Sequence, residues 1–495
     1  MLDQLEENPD IPVRAVQEQF QRKYSVGISR MKAYRAKVIA KKNVEGDHAS
    51  QYSLLRDYTN ELISKNPGTT VKLELELGKN PEDQERQFRR IYICLVALKK
   101  GFKALGRDLL GLDGAFMKGP FPGQMLTAVG VDSNNGIYPV AYAIVESENL
   151  SSWTWFLELL ASDLDLGINS NFTFISDRQK GILQAVTRLF PCAEHRYCLR
   201  HIYENMRGTF KGDLYKNMLW KCATATTVPE FQTAMDELKA FNKKAHLWLS
   251  KIPPLHWTRS HFSGRAVSDV LLNNMCERYN GNVIEGRDKP IISTLEYIRE
   301  YLIRRIVTVL KVIEKCDGLL TPRATEMLEE IKKDASHYHV QWNGGEYYEV
   351  SGKPIHARLP CRHAVAALWC MAANGGRVGA IESWAHPVHT MERWRLVYSH
   401  KINPLNGRAL WTKIELPTII TPPKHHNQVG RPKKLRKSKC KQIGHNSRTC
   451  KGKSTTARTS VKAGSGTSSK AGKGVKAGKG VKAAKGVKAA KDGKA

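Results

Sequence analysis

A mixed α/β sheet flanked by helices is the architecture that residues 106–205 predict, and three observations carry it. DLLGLDGAFM is an apolar run centred on one acid, as expected of a buried strand. QMLTAVGVD and IYPVAYAIVE are β-rich runs joined by Ser133-Asn134-Asn135-Gly136, residue types that tolerate the positive φ of a tight hairpin. SSWTWFLELLASDL then reads as a helix, FTFIS as a short buried strand, and DRQKGILQAVTRLF as another helix. Three antiparallel strands, a helix and a further strand is the order of a ribonuclease-H-like sheet.

The remaining elements are set around that sheet. A chain of 495 residues exceeds what one core usually supports, so two or three structured units are expected. Residues 1–100 read as an N-terminal helical region. VRAVQEQFQRKY and ISRMKAYRAKVIAKK, separated by a short break, give a helix–turn–helix outline with a basic second helix, which any helical pair also resembles. Residues 101–315 read as the α/β domain. It is interrupted near 212–270 by a helical insertion without strand signals and resumed by LLNNMCERYN and ISTLEYIREYLIRRIVTVLKVIEK. Residues 338–372 form a small mixed module, and the aromatic-rich stretch 373–420 is expected to pack on the body. From 421 the chain is rich in Pro, Lys and Gly, and it ends in six-residue repeats from Ala471 to Lys494. The repeats have nothing to bury, so disorder is expected there.

The charge limits the class of partner. The net charge is +31, of which residues 424–495 supply +21 through 22 Lys or Arg against the single acid Asp492. The other residues carry the remaining +10. A polyanion is the natural partner, since Lys and Arg on phosphates release condensed counterions; a merely solvated tail is the bland alternative. No apolar run approaches the roughly 20 residues of a membrane span. The opening MLDQLEENPDIPV is acidic and lacks the apolar core of a secretory signal, so an intracellular protein is expected. Ten scattered cysteines do not suggest a disulfide framework, and residues such as Cys94 read as core filler.

Three acids stand out. Asp113 lies mid-strand in LLGLDGAFMKG, where a lone buried aspartate is costly without a partner. Asp177 ends the strand FTFIS; it can serve as a helix-start residue or face Asp113 across a shared cleft. Glu277, in LLNNMCERYN, is the third candidate, although helical glutamates are usually only solvated. Three carboxylates can hold two Mg²⁺ ions that activate a water or a 3′-hydroxyl and stabilise the leaving oxygen of a phosphodiester.

LDGAFMKG, VAYAIVESEN, SSWTWFLELL, FISDRQKGI, HRYCLRHIYENM and LLNNMCERYN…GRDKPI closely resemble, in order and spacing over roughly residues 45–425, the transposase of plant Mutator-like elements. The resemblance implies a catalytic DDE triad at Asp113, Asp177 and Glu277. It places the family's Cys-x-x-His signature at Cys198 and His201, beside the catalytic centre. A packed core pair fits those two residues as well. It also implies a SWIM zinc finger, of which Cys361 and His363 supply the second half while the first Cys-x-Cys is missing. Structural zinc takes four ligands, so only weak or partial Zn²⁺ binding is expected, with His356 or Cys370 as possible recruits. Cys440, His445 and Cys450 keep three positions of a zinc knuckle whose first cysteine is replaced by Lys437.

Gly430-Arg431-Pro432-Lys433-Lys434 resembles an AT-hook core, and with Arg436 the run doubles as a nuclear-import candidate or a generic charge run. The implied protein is nuclear and acts on DNA, with homo-oligomerisation possible. It is an active strand-transferring enzyme, a catalytically silent DNA-binding regulator, or a chromatin-associated protein dominated by its tail.

Overall fold

The computed structural model describes residues 11–423 apart from 46–47, 77, 79–82, 120, 122 and 352–358. Helices α1 (Val13–Tyr24) and α2 (Arg30–Glu45) pack through Val16 and Ala33, with Ile11, as a small cluster of their own. The short α3 (Ser50–Ser53) leads into α4 (Leu55–Lys65). The helical reading of residues 1–100 is then corrected, because Thr70–Leu75 and Glu85–Cys94 are strands β1 and β2, paired antiparallel. TVKLEL has only two-residue alternation and sits half-buried at a sheet edge, so it lacks the apolar run that marks an interior strand.

After α5 (Val96–Leu105) come β3 (Leu109–Phe116), β4 (Gln124–Val131) and β5 (Ile137–Val145), a continuous antiparallel meander. Asn135 takes φ 58° in the hairpin turn between β4 and β5. The Asp132 carboxylate accepts the N–H groups of Asn134 and Gly136 at 3.0 and 2.7 Å, closing that turn. All nine residues of β5 are buried, which is why it reads as a continuous apolar run. Helix α6 (Leu150–Leu164) starts at Asn149, whose side chain accepts the Ser152 N–H. It buries Trp153, Phe156, Leu157 and Leu160, worth roughly 1.5–3 kcal/mol each for the larger side chains.

The chain crosses to β6 (Thr173–Ser176), runs through α7 (Lys180–Leu189), and adds β7 (Glu194–Tyr197), a strand the sequence did not announce. Both β6 and β7 lie parallel to β3. The sheet order is β1-β2-β5-β4-β3-β6-β7.

Helices α8 (Leu199–Arg207), α9 (Asp213–Thr224), α10 (Val228–Phe241) and α11 (Lys243–Leu249) enclose a second core around Leu219, Phe231, Leu238 and Trp257. The chain returns through α12 (Asn274–Asn282), which packs against β3, β4 and β5. The long α13 (Ile291–Ile313) then buries one stripe in the main core.

Helix α14 (Pro322–Ala335), the hairpin of β8 (Val340–Trp342) and β9 (Tyr348–Val350), and α15 (Arg362–Ala373) share a third, smaller core. Finally α16 (Met391–Val397) inserts Trp394 into the main core, and β10 (Ile419–Thr421) pairs parallel with β2. The last described segment therefore joins β2 beside the edge strand β1, pairing Ile419 with Glu85 and Thr421 with Gln87.

No helix among the described residues is long and apolar enough to cross a membrane.

Candidate functional site

The site is built where β3 and β6 run side by side. Their pairing is Leu109 with Thr173, Leu110 with Phe174 and Gly111 with Ile175. Carried two residues further, the same offset puts Asp177, just past the end of β6, level with Asp113. Side chains two residues apart share a face, so residues level in adjacent parallel strands address the same space. Asp177 also accepts the Gln179 N–H at 3.0 Å, shaping the turn into α7. The helix-start role foreseen for Asp177 falls instead to Gln179, whose side chain accepts the Ile182 N–H at the N-cap of α7.

Helix α12 reaches β3 because position 111 is glycine. A Cβ there would lie 2.8 Å from Cys276 Sγ and would also strike Asn273. The close approach lets Asn273 donate to the Leu112 carbonyl at 2.8 Å and Asn280 to the Asp113 carboxylate at 2.7 Å. Glu277 rides on the same helix. Its carboxylate is paired to Arg200 of α8 at 2.5 Å.

A fourth acid was missed in the sequence. Glu148 follows β5, accepts from Trp153 Nε1 at 3.3 Å, and lies over Gly114, where a Cβ would fall 2.6 Å from its carboxyl carbon. The signal available was VESEN ahead of the tryptophan, but nothing local says that this acid faces the strand of Asp113.

The electrostatics tie these groups together. Burial, then the charge of Asp177, pushes the Asp113 carboxyl up to about 7; Asn280 and His201 oppose the rise and Glu277 adds to it. Burial and then Asp177 push Glu148 up to about 7 as well, with Asp113 contributing. Four carboxylates thus bear on one another in a partly buried cleft, which is costly unless a proton or a cation intervenes.

Cys198 is fully buried and stands at the N-cap of α8, so His201 falls in the first turn. The Cys198 side chain beside it, ahead of Asp177 and Glu277, holds the His201 imidazole above its ordinary value. Among the described residues, Cys198, His201 and Glu277 are the one group of three or more potential metal ligands whose atoms lie close together.

Cys361 and His363 lie apart from this cluster, at the start of α15. Their Sγ and Nδ1 atoms are 3.9 Å apart, and Cys361 caps the helix by accepting the Ala364 N–H. His356 lies outside the described residues, as do Arg431, Lys433, Lys434, Arg436, Cys440, His445 and Cys450. A cleft of about 850 Å³ adjoins the start of α12 and is lined by Arg107, Arg259, Arg278 and Arg323, among others.

The acids gathered at the β3–β6 junction lie in a segment that comparison with known families also picks out. Residues 109–205 match the MULE transposase domain, so the resemblance seen in the sequence holds over the segment that carries Asp113, Asp177, Cys198 and His201. The chain is similar to Protein FAR1-RELATED SEQUENCE 6 of Arabidopsis thaliana, 24% identical over 157 residues, 31% of this chain and 22% of that protein. It is also similar to the transposase for insertion sequence element IS1201 of Lactobacillus helveticus, 25% identical over 173 residues, 33% of this chain and 45% of the relative. In both cases the chain spans less than half of the relative's length.

Proposed function

We propose that this protein is a Mutator-like DNA transposase, or a derivative of one, with a ribonuclease-H-like core in which Asp113, Asp177 and Glu277 hold Mg²⁺ for DNA strand cleavage and transfer. The observation that carries the reading is the β3–β6 register, which puts Asp177 level with Asp113 beneath the helix of Glu277. The strand order β5-β4-β3-β6-β7, three antiparallel and two parallel, supports the fold.

The donors suit a hard divalent cation. They are carboxylate oxygens, and the burial and secondary mutual repulsion that raise Asp113 and Glu148 are what such a cation offsets. When bound, Mg²⁺ supplies activation of the attacking oxygen and charge neutralisation at the phosphodiester.

The chain's own residues do the positioning. Asn280 fixes the Asp113 carboxylate by its hydrogen bond, and Gly114 leaves room for Glu148. The arginines of the neighbouring cleft and the basic tail supply phosphate contacts. DNA is the proposed substrate and the nucleus the proposed location; Zn²⁺ at Cys361–His363 and at Cys440, His445 and Cys450 is a partial-site proposal only.

The test is Mg²⁺-dependent nicking of duplexes that carry terminal inverted repeats, sought in the DNA around the gene. Asp113→Asn, Asp177→Asn and Glu277→Gln should each abolish nicking while leaving DNA binding in place. The silent, DNA-binding reading is favoured by one observation, the Arg200 pair that engages Glu277. Tight DNA binding by the unaltered chain with no nicking in any divalent ion would decide for it.

A further inference from the structure

We infer that Cys198, His201 and Glu277 form a binding site for a thiophilic divalent ion of the zinc type, distinct in its chemistry from the all-oxygen acids beside it. The thiol sulfur, an imidazole nitrogen and a carboxylate oxygen lie within 4.8 Å of one another. Ligand atoms around a bound tetrahedral ion sit about 3.4–3.8 Å apart, given metal bonds of ~2.0–2.3 Å. A side-chain movement of about 1 Å closes the set, well within the rotamer freedom of a helical glutamate and histidine.

Each ligand is held by the fold. Cys198 is fully buried, and its sulfur accepts the Asn273 N–H at 3.2 Å, which ties it to the lead-in of α12. The Leu199 N–H donates to the Leu271 carbonyl at 2.9 Å, fixing α8 against the same segment. The Nδ1 atom of His201 is buried without a hydrogen-bond partner, an arrangement that costs free energy unless something accepts or donates there. Arg200 engages one oxygen of Glu277, and the carboxylate has a second.

Thiolate and imidazole select zinc over magnesium, which takes oxygen donors and keeps its waters. Three protein ligands leave a fourth position for water or a phosphate oxygen. Glu277 is shared with the proposed Mg²⁺ triad, so the two ions draw on one carboxylate; the present site nevertheless stands on its own geometry whether or not the triad is active.

Co²⁺ is the probe, because thiolate coordination gives it a near-ultraviolet charge-transfer absorption that carboxylates alone do not. The full-length chain is titrated in a background of Cys361→Ser, Cys440→Ser and Cys450→Ser, which removes the cysteines of the other candidate sites. The expected result is one Co²⁺ per chain with that absorption, displaced by Zn²⁺ and not by excess Mg²⁺.

Cys198→Ser should abolish the absorption, and His201→Ala should raise the apparent Kd by about 100-fold or more. Because Cys198 is buried, the half-buried His201 variant, with a melting curve matching the parent, keeps the test fair. Asp113→Asn with Asp177→Asn should retain the absorption. A background chain without the absorption, or one whose absorption survives Cys198→Ser, overturns the site. Mg²⁺-dependent nicking, assayed in parallel, reads the carboxylate triad separately.

Discussion

Asn280 donates from Nδ2 to Oδ2 of Asp113 at 2.7 Å, across 167 residues of sequence. The bond engages one carboxylate oxygen of a group on which the charges of Asp177 and Glu277 also bear. Asn280→Ala removes the donor and leaves the metal-free carboxyl still harder to ionise. The expected outcome is a fall of about 10–100-fold in Mg²⁺-dependent nicking, recovered in part by raising Mg²⁺. Unchanged nicking at limiting Mg²⁺ would reduce Asn280 to a packing residue.

The raised carboxyls fix a pH dependence. Asp113 and Glu148 sit up at about 7 in the fold, whereas the same groups in an unfolded chain titrate near ~4. Between those values the folded chain keeps protons that the unfolded chain has released. Their contribution is therefore present at low pH and lost as pH rises through 7. Because the acids are coupled, they titrate as a group. Thermal unfolding of metal-free protein should show stability falling from pH 5 to pH 8 by on the order of 1–3 kcal/mol, less steeply in Asp113→Asn. A pH-independent Tm would contradict the clustering of these acids.

Gly114→Ala tests Glu148 without changing any acid. The added Cβ falls 2.6 Å from the Glu148 carboxyl carbon, so that side chain has to leave its place over β3. If Glu148 helps hold the cation, Gly114→Ala and Glu148→Gln should lower Mg²⁺ affinity by similar factors, about 10-fold or more. Isothermal titration with Mg²⁺ reads this directly, and wild-type affinity in both variants would remove Glu148 from the site.

Cys361 and His363 have no third ligand close by among the described residues. Two ligands do not close a tetrahedron. Metal analysis of the full chain should give the same tightly held zinc in wild type and in Cys361→Ser. A loss of one zinc per chain in that variant would show that another residue, such as His356, completes the site.

The basic tail should act through charge, with an A·T preference at Arg431 as the one exception. Deleting residues 424–495 removes +21 of the +31. Binding to specific and random duplexes should weaken by similar factors, and the slope of log affinity against log salt should flatten by roughly 0.9 for each lost phosphate contact. An A·T preference carried by Arg431 should disappear with the tail. An unchanged slope would assign the electrostatic grip to the folded body and its +10.

What the sequence determined by itself is local. The β3, β4 and β5 strands, their Asn-Asn-Gly turn, the helix of Trp153 and the short strand before Asp177 were legible, because buried runs, turn residues and helical periodicity are written in neighbouring positions. Asp113 stood out for a similar reason, as one acid in an apolar run. Edge strands β1 and β10 and the four-residue β7 were not legible, since a short half-buried strand carries too few apolar positions to distinguish it from a loop.

Tertiary structure alone decided the rest. The two-residue continuation from Gly111–Ile175 that levels Asp113 with Asp177 is a property of strand register. The arrival of Asn280 depends on the bare α-carbon of Gly111, and the place of Glu148 on that of Gly114. Cys198, His201 and Glu277 meet because α8 and α12, separated by the helical insertion, are bound to one another at Leu199 and Asn273. A carboxylate's partners are fixed by what packing brings within a few ångströms, and packing joins residues whose separation along the chain carries no local signal.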